Sequence, residues 1–254
     1  MHLPLYLHVG PWTLHAHTVF ELLAYFVGFR LYLRQRRRRG DVIGGYERWW
    51  LVAAAIAGGA IGSRALAWAE SPALTLDHLR DSGYLLGGKT VVGGLLGGTI
   101  AVEAAKRALG VARRTGDLFA VPLAVGILIG RIGCFLEGPG DQTWGGPTNL
   151  PWGVDPGDGL ARHPSPLYEA AFLLMLAVLL SRLAKKPHPD GWLFRVFMTA
   201  YLGFRLLADA IKPEPALALG LGAIQWASVA GLVYYTVAWR PDGLPDSRAA
   251  AGSQ

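Results

Sequence analysis

Apolar residues in this chain come in runs near 20 positions long, separated by short polar links, with no sustained alternation of apolar and polar positions. Runs of that length suit helices that cross a hydrocarbon core of about 30 Å. They predict seven helices, at roughly 16–33, 49–69, 89–109, 117–136, 166–184, 191–211 and 217–239. The fold class expected is all-α, a polytopic membrane helix bundle of about seven spans in one domain over residues 1–240. The polar, Ala/Gly-rich residues 241–254 read as a disordered tail. Two links stand apart. Residues 70–88 carry Glu70, Asp77, His78, Arg80 and Asp81, too polar to span, and read as a surface or re-entrant piece. Residues 137–165 are rich in Gly, Pro and Trp and read as a long loop for lipid heads or a peptide, or as an inert cover.

Composition sharpens this picture. The chain is 52% hydrophobic and only 17% charged, which is poor in charge for a soluble domain of 254 residues. Its net charge of +6 could suggest nucleic acid, but the placement of the charge argues against that. Arg34, Arg36, Arg37, Arg38, Arg39 and Arg48 fill the first link. Lys106, Arg107, Arg113 and Arg114 fill the third, and Arg182, Lys185 and Lys186 the fifth. The even links hold little: Arg80 and Lys89, then Arg162, then Lys212. Excess cations on alternate links place the N-terminus outside and the C-terminus, with Arg240 and Arg248, in the cytoplasm. The start lacks a basic n-region, so the first helix is expected to be retained.

Charge inside the apolar runs is the candidate chemistry. Arg131 and Arg205 sit within predicted spans, where a cation costs roughly 2.5–3.5 kcal/mol on insertion scales and so faces a bundle interior or an anion. The spans holding Arg131 and Arg205 both run outward, which places each arginine roughly 8–10 Å below the outer interface at about 1.5 Å per residue. Arg64 and Glu21 fall near the same level, Tyr168 and Glu169 open the fifth span, and Asp209 is one turn beyond Arg205. Several segments thus deliver charge to one stratum, near the phosphates of an outer leaflet. Two planar guanidiniums suit phosphate oxygens. An ion channel or proton relay would spread polar groups through the whole thickness.

Other features weigh less. Gly93/Gly97 and Gly94/Gly98, at four-residue spacing, read first as close helix packing and second as bare backbone approaching a phosphate near Lys89. Cys134 is the one cysteine, so no intrachain disulfide is possible. It reads as packing before it reads as a lipid acceptor. Leu14-His15-Ala16-His17 lacks partner ligands at a fixed spacing, and neither metal nor cofactor is expected.

Four motifs carry a resemblance to one known family. Gly130-Arg131-Ile132-Gly133-Cys134-Phe135-Leu136, followed by Trp144 and Pro151-Trp152-Gly153, is similar to the family's signature region. Arg162-His163-Pro164-Ser165-Pro166-Leu167-Tyr168-Glu169 resembles its His-Pro-Ser-Gln-Leu-Tyr-Glu element, with Pro166 for Gln. Tyr201-Leu-Gly-Phe-Arg205 with Asp209 resembles its late Tyr/Arg/acid helix, and Gly93 to Gly98 its glycine-rich helix.

Taken together these motifs resemble the prolipoprotein diacylglyceryl transferases of bacteria, and the resemblance implies a multi-pass protein of the bacterial plasma (inner) membrane. It implies transfer of the diacylglyceryl group of phosphatidylglycerol, or of another anionic phospholipid, to the cysteine of a lipoprotein precursor peptide. The partners are then that lipid, that peptide and the bilayer, with no nucleic acid. Arg131 and Arg205 would hold the phosphate, with Glu169 or His163 as the base. Glu137, Tyr168, Tyr201 and Asp209 would position the arginines, and Gly93, Gly94 and Gly133 would line the substrate. Three departures count against a standard site: Val92 stands where the family has a histidine, Cys134 where it has an asparagine, and Glu21 where it has an early tyrosine. They leave open a non-catalytic or differently specific lipid-binding paralogue. A small-solute transporter is a third alternative.

Overall fold

The computed structural model of the protein describes residues 3–40, 43–138, 140, 143–212 and 217–238. The tail at 241–254, with Trp239, Arg240 and Arg248, lies outside the described residues. The described chain is mostly helical, but it opens on a hairpin that the apolar runs do not announce. Strands β1 (Tyr6–Val9) and β2 (Trp12–His15) pair antiparallel, with Val9 opposite Trp12. Gly10 takes φ +58° in the turn between them, a conformation open to a residue without Cβ.

The helices follow the apolar runs, with shifted ends. They are α1 (Ala16–Arg39), α2 (Gly45–Glu70), α3 (Pro72–Asp77), α4 (Ser82–Gly87), α5 (Val91–Ala108), α6 (Asp117–Glu137), α7 (Ser165–Leu183), α8 (Trp192–Ala208) and α9 (Ala223–Val233). A single 3-10 turn, Asp209–Ile211, extends α8, and a π turn, Tyr234–Ala238, extends α9. The short α3 and α4 occupy the polar stretch 70–88. α5 begins at Val91, later than the predicted 89, because the Thr90 hydroxyl accepts the Gly93 N–H at 3.2 Å as an N-cap. α9 begins six residues after the predicted 217, because Leu219 and Gly220 take φ +52° and +75° and reverse the chain.

Two packing groups result. α2 and α5 lie against each other through Gly58, Gly62, Gly93 and Gly97. A Cβ on Gly97 would come within 2.8 Å of the Gly62 Cα, so the two backbones meet directly. In the second group α6 packs on α1 and α7, and α8 on α9. Leu173, Leu180, Leu193, Phe197 and Leu202 fill its core, with Val92 of α5 reaching in. Asp117 at the start of α6 fixes the start of α8, accepting the Gly191 N–H at 2.7 Å and the Phe194 N–H at 3.1 Å.

Burial runs inside out. Ile56, Ile61, Ile100 and Leu207 are exposed, while Arg48, Lys106, Arg131, Glu169, Arg205 and Asp209 are buried. Apolar surface with ionic interior belongs to a protein whose surroundings are lipid. Among the described residues α2, α6 and α7 are long and apolar enough to cross a membrane.

Candidate active site

Three helices deliver the charged cluster. Arg131 comes from the last third of α6, Glu169 from the second turn of α7, and Tyr201 and Arg205 from the last half of α8. Glu169 is the bridge. Its Oε1 lies 2.9 Å from Arg131 Nε, and its Oε2 accepts from Arg205 Nη1 at 2.9 Å. The Tyr201 hydroxyl donates to Oε1 at 2.6 Å. The Arg131 contact is a charge pair whose N–H does not line up as a hydrogen bond. Asp209 closes the far side of Arg205, accepting from Nη2 at 2.7 Å and Nε at 3.3 Å. Lys212 Nζ then reaches Asp209 Oδ1 at 3.3 Å. Along this chain cation and anion alternate, from Arg131 through Glu169, Arg205 and Asp209 to Lys212.

Such alternation is what burial demands. Each ion would cost several kcal/mol alone, and attraction across short contacts offsets that cost only when the geometry is tight. Among the described residues three cations meet these two carboxylates. The two arginines are not engaged alike. Arg205 commits Nε, Nη1 and Nη2 to carboxylates. Arg131 meets Glu169 through Nε only, and its Nη1 lies 3.8 Å from Cys134 Sγ. The Arg131 fork has donors left for a further anion.

The remaining candidates divide between this cluster and its surroundings. Glu137 does not reach an arginine: its Oε2 lies 3.0 Å from His15 Nδ1 of the hairpin. His163 precedes α7, its Nδ1 3.3 Å from the Tyr168 hydroxyl, which also accepts from Trp152 Nε1 at 2.8 Å. Gly93 and Gly94 face α2, and Gly133 faces Phe20 and His17 of α1. Their missing side chains therefore serve helix contact. Arg64 donates to the Ala60 carbonyl at 3.2 Å, one turn back. Glu21 accepts from Lys89 Nζ and from the Tyr25 hydroxyl, both at 3.1 Å, so it ties α1 to the entry of α5.

The loop before α7 fastens the helix ends. His163 and Gly145 or Gly146 exchange backbone hydrogen bonds at 3.0 Å, and the Gly146 N–H reaches the Ile211 carbonyl at 3.0 Å. The Ser165 hydroxyl donates to the Thr143 carbonyl at 2.7 Å. These bonds hold the start of α7, and with it Glu169, beside the turn that carries Asp209. Farther out, Asp155 accepts from the Gly157 N–H at 2.7 Å and Asp158 from Arg162 at 2.7 Å. Those donors, first Gly157 and first Arg162 respectively, hold both carboxyls below the usual aspartate range.

Sequence reasoning counts Lys212 only as a link cation, and it has no signal for Glu137–His15, a pair 122 residues apart. The bridging position of Glu169 is equally invisible in one dimension.

Comparison with known proteins bears on what such a cluster does. A family model described as prolipoprotein diacylglyceryl transferase matches residues 4–240. The phosphatidylglycerol–prolipoprotein diacylglyceryl transferase of Bordetella parapertussis is 31% identical, covering 92% of this chain and 95% of that protein. The protein of the same name from Bordetella avium is 31% identical over 93% of this chain and 95% of its own length. That of Nitrosomonas europaea is 36% identical over 64% of this chain and 62% of its own.

Proposed function

The chain belongs to the prolipoprotein diacylglyceryl transferase family, and from that premise we propose that it moves the diacylglyceryl group of phosphatidylglycerol to the cysteine thiol of a lipoprotein precursor. One observation carries the reading for these particular residues: guanidiniums from two helices, Arg131 and Arg205, meet on the single carboxylate of Glu169. With donors open on Arg131, that pair suits a phosphodiester.

In this reading Arg131 binds the phosphate directly, while Arg205 fixes Glu169 and adds to the positive field. Glu169 and Tyr201 position Arg131, and Asp209 with Lys212 positions Arg205. Two hydrogen bonds and the Arg131 charge pair already occupy the Glu169 oxygens, so it suits positioning better than proton transfer. His163 is then the proposed acceptor of the thiol proton. The thiolate sulfur forms a bond to the terminal glyceryl carbon of the lipid, and the bond from that carbon to the phosphate oxygen breaks. Glycerol phosphate leaves with the electron pair, its growing charge met by the arginines. The loop 143–165 meets the peptide, with Trp152 and Tyr168 at its inner edge.

The proposed setting is the plasma membrane of a bacterium, crossed seven times by one domain, with the N-terminal hairpin outside and the arginine-rich end of α1 in the cytoplasm. Expression in cells depleted of their own transferase tests the reading. Restored lipidation of precursors is expected. Normal abundance in the membrane without any lipidation would remove the transfer step and leave a lipid binder.

A further inference from the structure

A seam between the two packing groups runs along α6. Phe119, Leu123, Ile127, Gly130 and Cys134 recur every three or four residues and therefore share one face of that helix. All five are half-buried, whereas Ala120, Ala124 and Arg131, on the neighbouring face, are buried. α5 lies across from this face without packing along it. A Cβ added to Gly130 would meet nothing within 4 Å among the described residues. At one end of the seam stands Arg131, whose Nη1 turns to Cys134 Sγ at 3.8 Å. Toward the other end the seam widens into a cavity of about 180 Å³, walled by Phe119 and Leu123 of α6, Leu95 and Val102 of α5 and Leu51 of α2. Arg48, Glu103 and Arg114, each nearer that end of the bundle, form its charged rim.

We propose that this seam is an acyl-chain ruler: one fatty chain of the lipid whose phosphate Arg131 holds lies between α5 and α6 and ends in the cavity. The ruler rests on the phosphate contact proposed for Arg131 and sets a limit on chain length. The dimensions agree. Phe119 precedes Arg131 by about 18 Å along α6 at ~1.5 Å per residue. Two leaflets make a hydrocarbon core of about 30 Å, so one membrane acyl chain reaches about 15 Å. The difference of a few ångströms is left for the glyceryl unit and its ester. An apolar cavity of about 150 Å³ accepts benzene, so one of about 180 Å³ takes the last several carbons of a chain and not a second lipid. Lipid tails are as apolar as these walls, so burial alone distinguishes little among chains. The end of the cavity does distinguish them. A longer chain must press its terminal carbons against the charged rim, where displacing polar contacts is costly, or withdraw its phosphate from Arg131. Gly130, with no side chain, leaves the chain room to pass from the Arg131 fork into the seam.

Native mass spectrometry of the full chain in detergent tests it, with no peptide present, so that lipid is bound and not consumed. The protein is equilibrated with equal amounts of dilauroyl, dipalmitoyl and dibehenoyl phosphatidylglycerol. The two shorter lipids are expected at similar retention, and the dibehenoyl lipid at least tenfold below them. Val102→Trp fills the cavity and is expected to lower dipalmitoyl against dilauroyl retention about tenfold. Phe119→Ala lengthens it and is expected to raise dibehenoyl against dipalmitoyl retention about tenfold. Thermal unfolding reports whether each variant remains folded. Arg131→Gln is expected to lower retention of all three lipids alike. Equal retention of the three lipids by the unaltered chain would overturn the proposal, as would an unmoved limit in either folded variant. So would retention that is independent of Arg131. Transfer in cells is a separate result: its absence alongside a moving limit removes the transfer reading alone, and transfer without any limit removes the ruler alone.

Discussion

The two ends of this bundle treat buried arginines in opposite ways. At the Arg131 end, cations are interleaved with carboxylates, and three helices close around ion pairs of 2.7–2.9 Å. At the Arg48 end, Arg48 and Arg114 line an apolar cavity of about 180 Å³. The first arrangement fixes guanidiniums with little freedom and leaves a single fork partly open. The second offers volume and a charged rim. Joining an ion-pair cluster and bordering an apolar space place different demands on the same side chain, and this molecule separates the two along α6.

Breaking the first arrangement is expected to have the largest effects. Arg131→Gln removes the open fork but leaves Glu169 paired with Arg205, so transfer of labelled lipid should fall by about 10²–10³-fold, as for other preorganised donors. Folding should survive. Arg205→Ala removes the cation that Glu169 and Asp209 share, and losing one partner of a buried pair costs about 3–5 kcal/mol. That variant should lose both abundance and transfer. Comparing the two separates binding chemistry from architecture: equal losses of abundance would contradict the assignment of the direct contact to Arg131.

The α2/α5 seam should be next in severity. Gly97→Leu forces a side chain into the Gly62 backbone, and overpacking of that kind costs about 1–3 kcal/mol. A lower unfolding temperature in detergent is the readout, and an unchanged one would mean that the two backbones do not meet.

Smaller effects are expected outside the spans. His15 and Glu137 are partly exposed, and an exposed pair contributes about 0–1 kcal/mol, so Glu137→Gln should leave transfer within a few-fold of normal. A loss as deep as that of Arg131→Gln would place Glu137 in the chemistry. Asp155 and Asp158 have carboxyls depressed by folding. Their contribution is present above the ordinary aspartate value of about 3.9 and declines as pH falls through the lower folded values. Cleavage of the 143–165 loop by an acid-active protease should rise below that value, and Asp158→Asn should raise its cleavage by a neutral protease at neutral pH.

How much of this was legible in one dimension follows from what each feature depends on. The long helices follow from runs of Leu, Val, Ala and Phe, because length and apolarity are local properties. The arginines stand out because a charge inside such a run is costly wherever its partner lies. The partner itself is not legible. Glu169 reads as a helix-entry acid until α6 and α8 are brought beside it, and Glu137, equally near a helix end, turns instead to His15. The hairpin at Tyr6–His15 escapes because its strands are four residues each, too short for alternation to stand out. The delayed start of α9 escapes because Leu217, Leu219 and Leu221 resemble a continuing apolar run, whereas the backbone turns there. Val92, which the sequence marks only as a departure within a resemblance, is 1% exposed in the apolar core, and only the folded chain reveals that setting.

The central claim is that Arg131, steadied by Glu169, holds the phosphate of the donor lipid during transfer. Its most direct test is a single-turnover assay with purified protein in vesicles, using phosphatidylglycerol labelled in its acyl chains and a precursor peptide with one cysteine. The wild-type chain should yield labelled peptide joined through a thioether, with one glycerol phosphate released for each peptide modified. Arg131→Gln should yield neither product while remaining folded. Labelled peptide formed at the wild-type rate by Arg131→Gln would contradict the account.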